Sequence, residues 1–313
     1  MPHAPTVEVM GRRLRFLQPE HCYFVTARCF QARLLLRPSS STNTLLAGIL
    51  ARAARLHSVE LFAFVFASNH VHLLVRAPKG TLPGFMQFLL GNIARKIGPT
   101  VPWQGRLWER RYAAAPVLDS DALGERLRYI LAHGVKEGLV GRCADWPGLS
   151  SLAQMLGNAV RPATWFNWSR RSRAKGPGRC GDLLDPRFAE PEHLEVHPLP
   201  GWEELAPVER VKRIRKLVAD IERDGAKEHP RPLGVAEVLA QVPYKRSERP
   251  KRGPAPLCHT VEPKLRAAFR DLYVDFVKGV RSVLASIREG KVPIRVPYYT
   301  IRWFLWPTAE ATA

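Results

Sequence analysis

The first half of the chain switches between two hydrophobic periods, and each switch marks an element boundary. Residues 21–28 (HCYFVTAR) are aromatic and β-branched, as a strand requires, and Pro-Ser-Ser-Ser at 38–41 supplies a loop with capping hydroxyls. Residues 43–57 read as a helix, with Leu45, Ile49, Leu50, Ala53 and Leu56 returning to one side. The apolar run 60–67 (ELFAFVFA) suits a buried strand, and Ser68-Asn69 turns the chain into a second strand over 70–76 (HVHLLVR), making a hairpin. A helix follows at 82–97, its stripe built from Phe85, Phe88, Leu89 and Ile93. Residues 107–118 predict a fourth strand, and Asp119-Ser120-Asp121 offers capping oxygens to a helix over 121–133 that Gly134 would stop. Strand, helix, strand, strand, helix, strand is the order of a split βαβ, or ferredoxin-like, antiparallel sheet. An α+β fold with one appended helix is therefore expected.

After about residue 150 the pattern changes. Residues 169–178 and 243–256 are basic and rich in Pro or Gly, as linkers or arms are. Between them, 207–223 has a charged helical period opened by Pro207, and 262–288 has another through Leu265, Phe269, Leu272, Phe276 and Val280. No internal repeat is evident. Two regions are expected, an α+β domain over 1–150 and a basic, mainly helical accessory DNA-binding region over 151–313.

Composition narrows the partner. The 48 Lys+Arg against 28 Asp+Glu leave a formal charge of +20, a field that gathers polyanions, so nucleic acid is expected to bind. No apolar run approaches the length of a membrane span and the N-terminus lacks a secretory pattern, so no membrane partner is expected. The five cysteines (Cys22, Cys29, Cys143, Cys180, Cys258) never form a C-x-x-C pair and suit ordinary thiols in a reducing cytoplasm.

The candidate chemistry sits at His70-Val71-His72. Residues two apart on a strand share a face, so the two imidazoles project together, as two ligands of a metal would, while Val71, Leu73 and Val75 turn to the core. Two polar residues on the wet face of a half-buried strand would look the same. Tyr129 and His133 lie four apart on the predicted helix 121–133, which stacks them on one helix face. His133 could then be a third ligand and Tyr129 a nucleophile toward a phosphate held by the metal. A half-buried aromatic and a favourable charge near a helix C-terminus are the bland alternatives. Arginines and aromatics interleave at Trp103, Arg106, Trp108, Arg110, Arg111 and Tyr112, as in proteins that stack single-stranded bases, or as on a solvated basic strand. Tyr112 is the rival nucleophile. Arg12, Arg13 and Arg15 precede the first strand, where they could reach a DNA backbone or groove or form a solvated tail.

Three blocks together resemble one family. FASNHVHLLV (66–75), LWERRYAAAPV (107–117) and LRYILAHGVKEGLV (127–140) stand in the order found in REP-associated tyrosine transposases, within the single-tyrosine HUH (IS200-like) transposases. The resemblance runs over residues 11–150. It implies a HUH nuclease domain that binds single-stranded DNA hairpins of the REP-like palindrome kind, cleaves through a 5′-phosphotyrosine and rejoins without external energy. By the same resemblance His70 and His72 are metal ligands for Mg2+ or Mn2+, and Tyr129 is the nucleophile. The family's amide four residues after the tyrosine falls on His133, and its following proline on Gly134. An imidazole there is the softer donor and would move preference toward manganese. The resemblance leans toward a monomer in the cytoplasm, associated with the nucleoid. The rival expectation is a domesticated hairpin-binding protein without chemistry.

Overall fold

In a computed structural model the chain is described over residues 13–157, 159–175, 184–246 and 255–291. Arg12, Cys180 and parts of both basic stretches lie outside the described residues. The order expected from the periodicity is present: β1 (Cys22–Arg28), α1 (Ser40–His57), β2 (Glu60–Ala67), β3 (His70–Arg76), α2 (Leu82–Ile97) and β4 (Ala113–Val117). The four strands pair antiparallel in the order β2-β3-β1-β4, the topology of a ferredoxin-like sheet. The register sets Thr26 opposite His72 and Arg28 opposite His70.

Local chemistry explains where the elements begin and end. The Ser39 hydroxyl accepts from the Thr42 amide at 3.1 Å, so α1 starts earlier than its apolar stripe. Leu56 is 48 % exposed and leaves that stripe, and Leu46 takes the buried place instead. The fourth strand is shorter than expected. Only Ala113–Val117 joins the sheet, while Trp108 makes one isolated bridge to Cys29 and its indole N–H donates to the Leu90 carbonyl at 2.9 Å.

The appended helix is α3 (Ser120–Leu131), capped by Asp119, whose Oδ1 accepts from the Ala122 amide at 2.7 Å. Gly134 does not stop it. Ala132, at φ −72 and ψ −9, breaks the helix, and a four-residue turn α4 (His133–Lys136) contains Gly134. That glycine is required by packing, because a Cβ there would sit 2.8 Å from Val140 Cγ2 and 3.1 Å from Trp146 Cε3.

Beyond the sheet come α5 (Leu152–Leu156), β5 (Val160–Phe166), α6 (Trp168–Lys175), β6 (Ala189–Glu195), α7 (Pro207–Glu228), α8 (Val235–Ala240) and α9 (Pro263–Arg288). The β5–β6 antiparallel ribbon was not expected in a mainly helical half. The change of character near 150 is one of composition and not of packing, since Pro19–Val261 forms one compact unit. Within it β5 and β6 lie on α1, and α7 lies on α4 and α5. Met1–Gln18 groups with Glu262–Ala313 in a second unit, where Phe16 packs on Phe269 and Phe276 at ring distances of 5.9 and 4.7 Å. Among the described residues no helix is long and apolar enough to cross a membrane.

One buried cluster ties Phe24, Leu74 and Val117 of the sheet to Leu127, Ile130 and Leu131 of α3 and to Ile214 and Ile221 of α7. The approach of α7 is close, because a Cβ on Gly225 would lie 2.1 Å from Val135 Cγ1 in α4. Arg128 pairs with Asp224 at 2.6 Å, and the Lys136 carbonyl lies 2.8 Å from His229 Nε2. The later part of the chain therefore clamps the α3–α4 junction.

Candidate functional site

Alternation along β3 puts His70 and His72 on the face that α3 covers, beside Leu74 of the same cluster. Each imidazole has a partner that orients it. Asn69 Nδ2 donates to the Ala32 carbonyl at 3.2 Å, which turns its Oδ1 to His70 Nδ1 at 2.5 Å. An amide oxygen only accepts, so His70 Nδ1 carries the proton and Nε2 presents a lone pair. His72 Nδ1 meets the Thr26 hydroxyl at 2.9 Å across the β1–β3 register, which leaves Nε2 as the free nitrogen.

The helix break at Ala132 aims the third imidazole. His133 opens α4 and is 3 % exposed, with its ring 4.6 Å from that of His70 and 5.5 Å from that of His72. One ligand atom from each of His70, His72 and His133 falls within 4.8 Å of the others. His72 Nε2 and His133 Nδ1 are buried with no hydrogen-bond partner. A buried nitrogen without a partner costs on the order of 1–3 kcal/mol, and a divalent cation among the three would remove that cost. Three nitrogen donors suit a transition ion, whereas magnesium prefers oxygen and would need its remaining ligands from water or phosphate.

Tyr129 lies on the same side. Its ring is edge-on to His72 at 5.1 Å and to Phe24 at 5.7 Å, and 6.5 Å from His133. Lys136 Nζ sits 4.4 Å from the Tyr129 ring centre and Arg126 Cζ 5.6 Å from it. Tyr129 is half-buried, and its ring packs against the buried cluster as well as beside these cations.

Burial dominates the electrostatics. It holds His70 well below the usual imidazole range, helped by His72, His133 and Arg28, and does the same to His72, helped by His133, Lys136, Arg28 and Arg126. Burial and then Lys136 bring His133 down to about 4. All three are neutral at neutral pH, the form in which imidazole binds a metal. Burial, and then Glu137, raises the Tyr129 phenol, against which Arg126 and Arg28 pull.

The predicted DNA contacts separate into groups. Arg106, Arg110 and Arg111 are exposed, and Arg106 Cζ stands 4.5 Å over the Phe30 ring. Trp103 is half-buried, under Arg33 Cζ at 4.4 Å. Tyr112 is 7 % exposed, so neither the base-stacking place nor the rival nucleophile's role suits it, and the rings that stand beside these arginines are Phe30 and Trp103, 6.0 Å apart and tilted. Arg13 and Arg15 belong to the second unit. Thr26, Asn69, Arg126, Lys136 and His259 were not singled out from sequence. For Thr26 the signal was available, since alternation on β1 puts this hydroxyl on the same face as Phe24 and Arg28. His259 had none, because it is brought near by a chain crossing from far along the sequence.

Residues 29–133 match the sequence profile of a family described as "Transposase IS200 like". No curated protein matches the chain. Among solved structures, a REP-associated tyrosine transposase bound to a REP hairpin is 19 % identical over 58 % of this chain and 98 % of its own, with a TM-score of 0.39. A crystal structure from Deinococcus radiodurans R1, described as that of a candidate transposase, is 23 % identical over 39 % of this chain and 95 % of its own, with a TM-score of 0.28. At such TM-scores the likeness carries no weight for function.

Proposed function

We propose that this chain, whose residues 29–133 match the IS200-like transposase family, is a divalent-metal-dependent transesterase cutting and rejoining single-stranded DNA beside hairpins. The observation that carries this reading is the meeting of three imidazoles, two of them with buried nitrogens lacking partners, beside the ring of Tyr129. His70, His72 and His133 would hold the ion, Mg2+ or Mn2+. When bound it polarises the scissile phosphate. The all-imidazole set favours manganese, the more nitrogen-tolerant of the two.

The Tyr129 oxygen forms a bond to phosphorus and the bond from phosphorus to the 3′-oxygen breaks. The strand departs with a free 3′-hydroxyl that takes the phenolic proton, and the 5′-phosphate stays on the tyrosine. One phosphodiester replaces another, so the reverse reaction rejoins the strand. Arg126 and Arg28 favour the developing phenolate, opposing the burial that keeps the phenol protonated at rest. The hairpin substrate, of the REP-like palindrome kind, comes from the family resemblance of the three sequence blocks, and the charge of +20 supports a polyanionic partner.

The test is a denaturing gel. The protein is incubated with a labelled oligonucleotide, a hairpin with single-stranded flanks, in Mn2+ or Mg2+. Wild type should give a protein–DNA adduct and Tyr129→Phe none. Adduct from Tyr129→Phe would overturn the nucleophile assignment, and no adduct from wild type on a panel of hairpins it binds would favour a holder without chemistry.

A further inference from the structure

A pair of side chains packs on Phe24 beside the phenol; one of them, Arg126, also favours the phenolate, and the other has no part in the transesterase step. Arg126 is one helical turn before Tyr129 on α3, whereas His133 is one turn after it, so the two flank the phenol along the helix axis. The Arg126 guanidinium stands 5.6 Å from the ring centres of both Tyr129 and Phe24. Its side chain is 22 % exposed and its Nε is buried without a partner, the nearest carboxylate being the largely exposed Glu125 at 3.5 Å.

The second member arrives from outside the segment that matches the family. Residues 258–261 run along the free edge of β4, where the His259 amide donates to the Pro116 carbonyl at 2.8 Å and the Leu118 amide to the His259 carbonyl at 2.9 Å. Asp119 fixes this edge. Its Oδ2 accepts from the Val261 amide at 3.0 Å while its Oδ1 caps α3, so one carboxylate positions both the added edge and the tyrosine helix. The His259 ring then lies edge-on to Phe24 at 5.3 Å. Phe24 thus touches His72, Tyr129 and His259, a common floor under the whole site.

We propose that Arg126 and His259 form a subsite for a phosphodiester of the single strand next to the scissile one, so that residues 258–261 complete the site. This rests on the transesterase reading above. A phosphodiester carries one negative charge and offers two oxygens, which suits one guanidinium and one neutral ring donor. Burial, with Arg126 adding to it, brings His259 down to about 4, so its imidazole meets the strand uncharged. Arg126 supplies the charge.

The full-length chain in EDTA, titrated with a labelled single-stranded thymidine 20-mer over a range of salt, tests this by fluorescence anisotropy. Arg126→Gln should weaken binding about tenfold and flatten the salt slope by roughly 0.7, the value for one phosphate of a single strand. Arg126→Lys should restore the slope. His259→Leu should weaken binding with an unchanged slope, because no charge is removed. Unchanged affinity and slope in both Arg126→Gln and His259→Leu, with thermal melting intact, would overturn the subsite. The adduct assay separates the two readings. Weaker strand binding by the variants without any wild-type adduct sinks the transesterase and keeps the subsite, whereas a wild-type adduct that Tyr129→Phe cannot form, with unchanged affinity and slope in both variants, does the reverse.

Discussion

The two faces of β3 show how one strand serves opposite ends. Val71, Leu73 and Val75 are fully buried and, by alternation, turn to the face that α1 and α2 cover. His70 and His72, on intervening positions, turn to α3 and leave a nitrogen of His72 buried without a partner. The first face is stable by itself. The second accepts an unfavourable arrangement that a bound cation relieves, which is what a ligand site under a rigid sheet looks like.

Adjacent residues test that division. His72→Ala should abolish Mn2+ binding, measured by calorimetry, and with it adduct formation. Leu73→Ala, one residue on, should lower stability by about 2–5 kcal/mol in urea unfolding, the usual range for a buried leucine. Its folded fraction should bind Mn2+ as tightly as wild type. Loss of Mn2+ affinity in Leu73→Ala under conditions where the protein remains folded would mean that the faces are not independent.

A pH effect should come next in size, again on one face. With metal chelated, the unfolded imidazoles take up protons near pH 6.5, while His133 and His259 resist protonation down to about 4 and His70 and His72 resist as well. Stability from these groups is full above pH 6.5 and is lost as pH falls from there toward 4. His133 alone can account for at most about 3 kcal/mol of that loss. Urea midpoints at pH 7 and 4.5 should converge for His133→Gln relative to wild type. Mn2+ should raise the wild-type midpoint at pH 7 and do little at pH 4.5, where protons compete for the imidazoles. An apoprotein equally stable at both pH values would contradict buried neutral histidines.

What could be read from sequence follows the same division. The bounds of β2, β3 and α2 coincide with their apolar patterns because both faces of the hairpin and one face of the helix are buried in one core. The His-x-His pair was legible because strand alternation alone puts both rings together. The β5–β6 ribbon was not, since Arg161, Pro162, Pro191 and three glutamates of β6 break any alternation, and the ribbon is held to α1 by Arg52 and Arg55 pairing with the buried Glu192. Gly134 misled because a glycine after a helix and a glycine under a tryptophan look alike in sequence. Arg126 and His259 carried no local signal, as their proximity depends on a long-range edge pairing through Asp119.

The smallest expected effect compares two helix caps, one on each face. Ser39 caps α1 and Asp119 caps α3, and replacing either by alanine should cost about 1 kcal/mol. The stability changes should therefore be similar, with a shift of only a few degrees in melting. Their consequences for chemistry should differ. Ser39→Ala touches only the closed face and should leave the adduct rate alone, whereas Asp119→Ala also releases the Val261 amide from the edge of β4. Faster hydrogen exchange at Val261 and Leu118, together with a slower adduct rate, is the expected signature in Asp119→Ala. Equal adduct rates in the two variants would show that the edge formed by residues 258–261 stays in place without its carboxylate, and the coupling between that edge and the tyrosine helix would have to be abandoned.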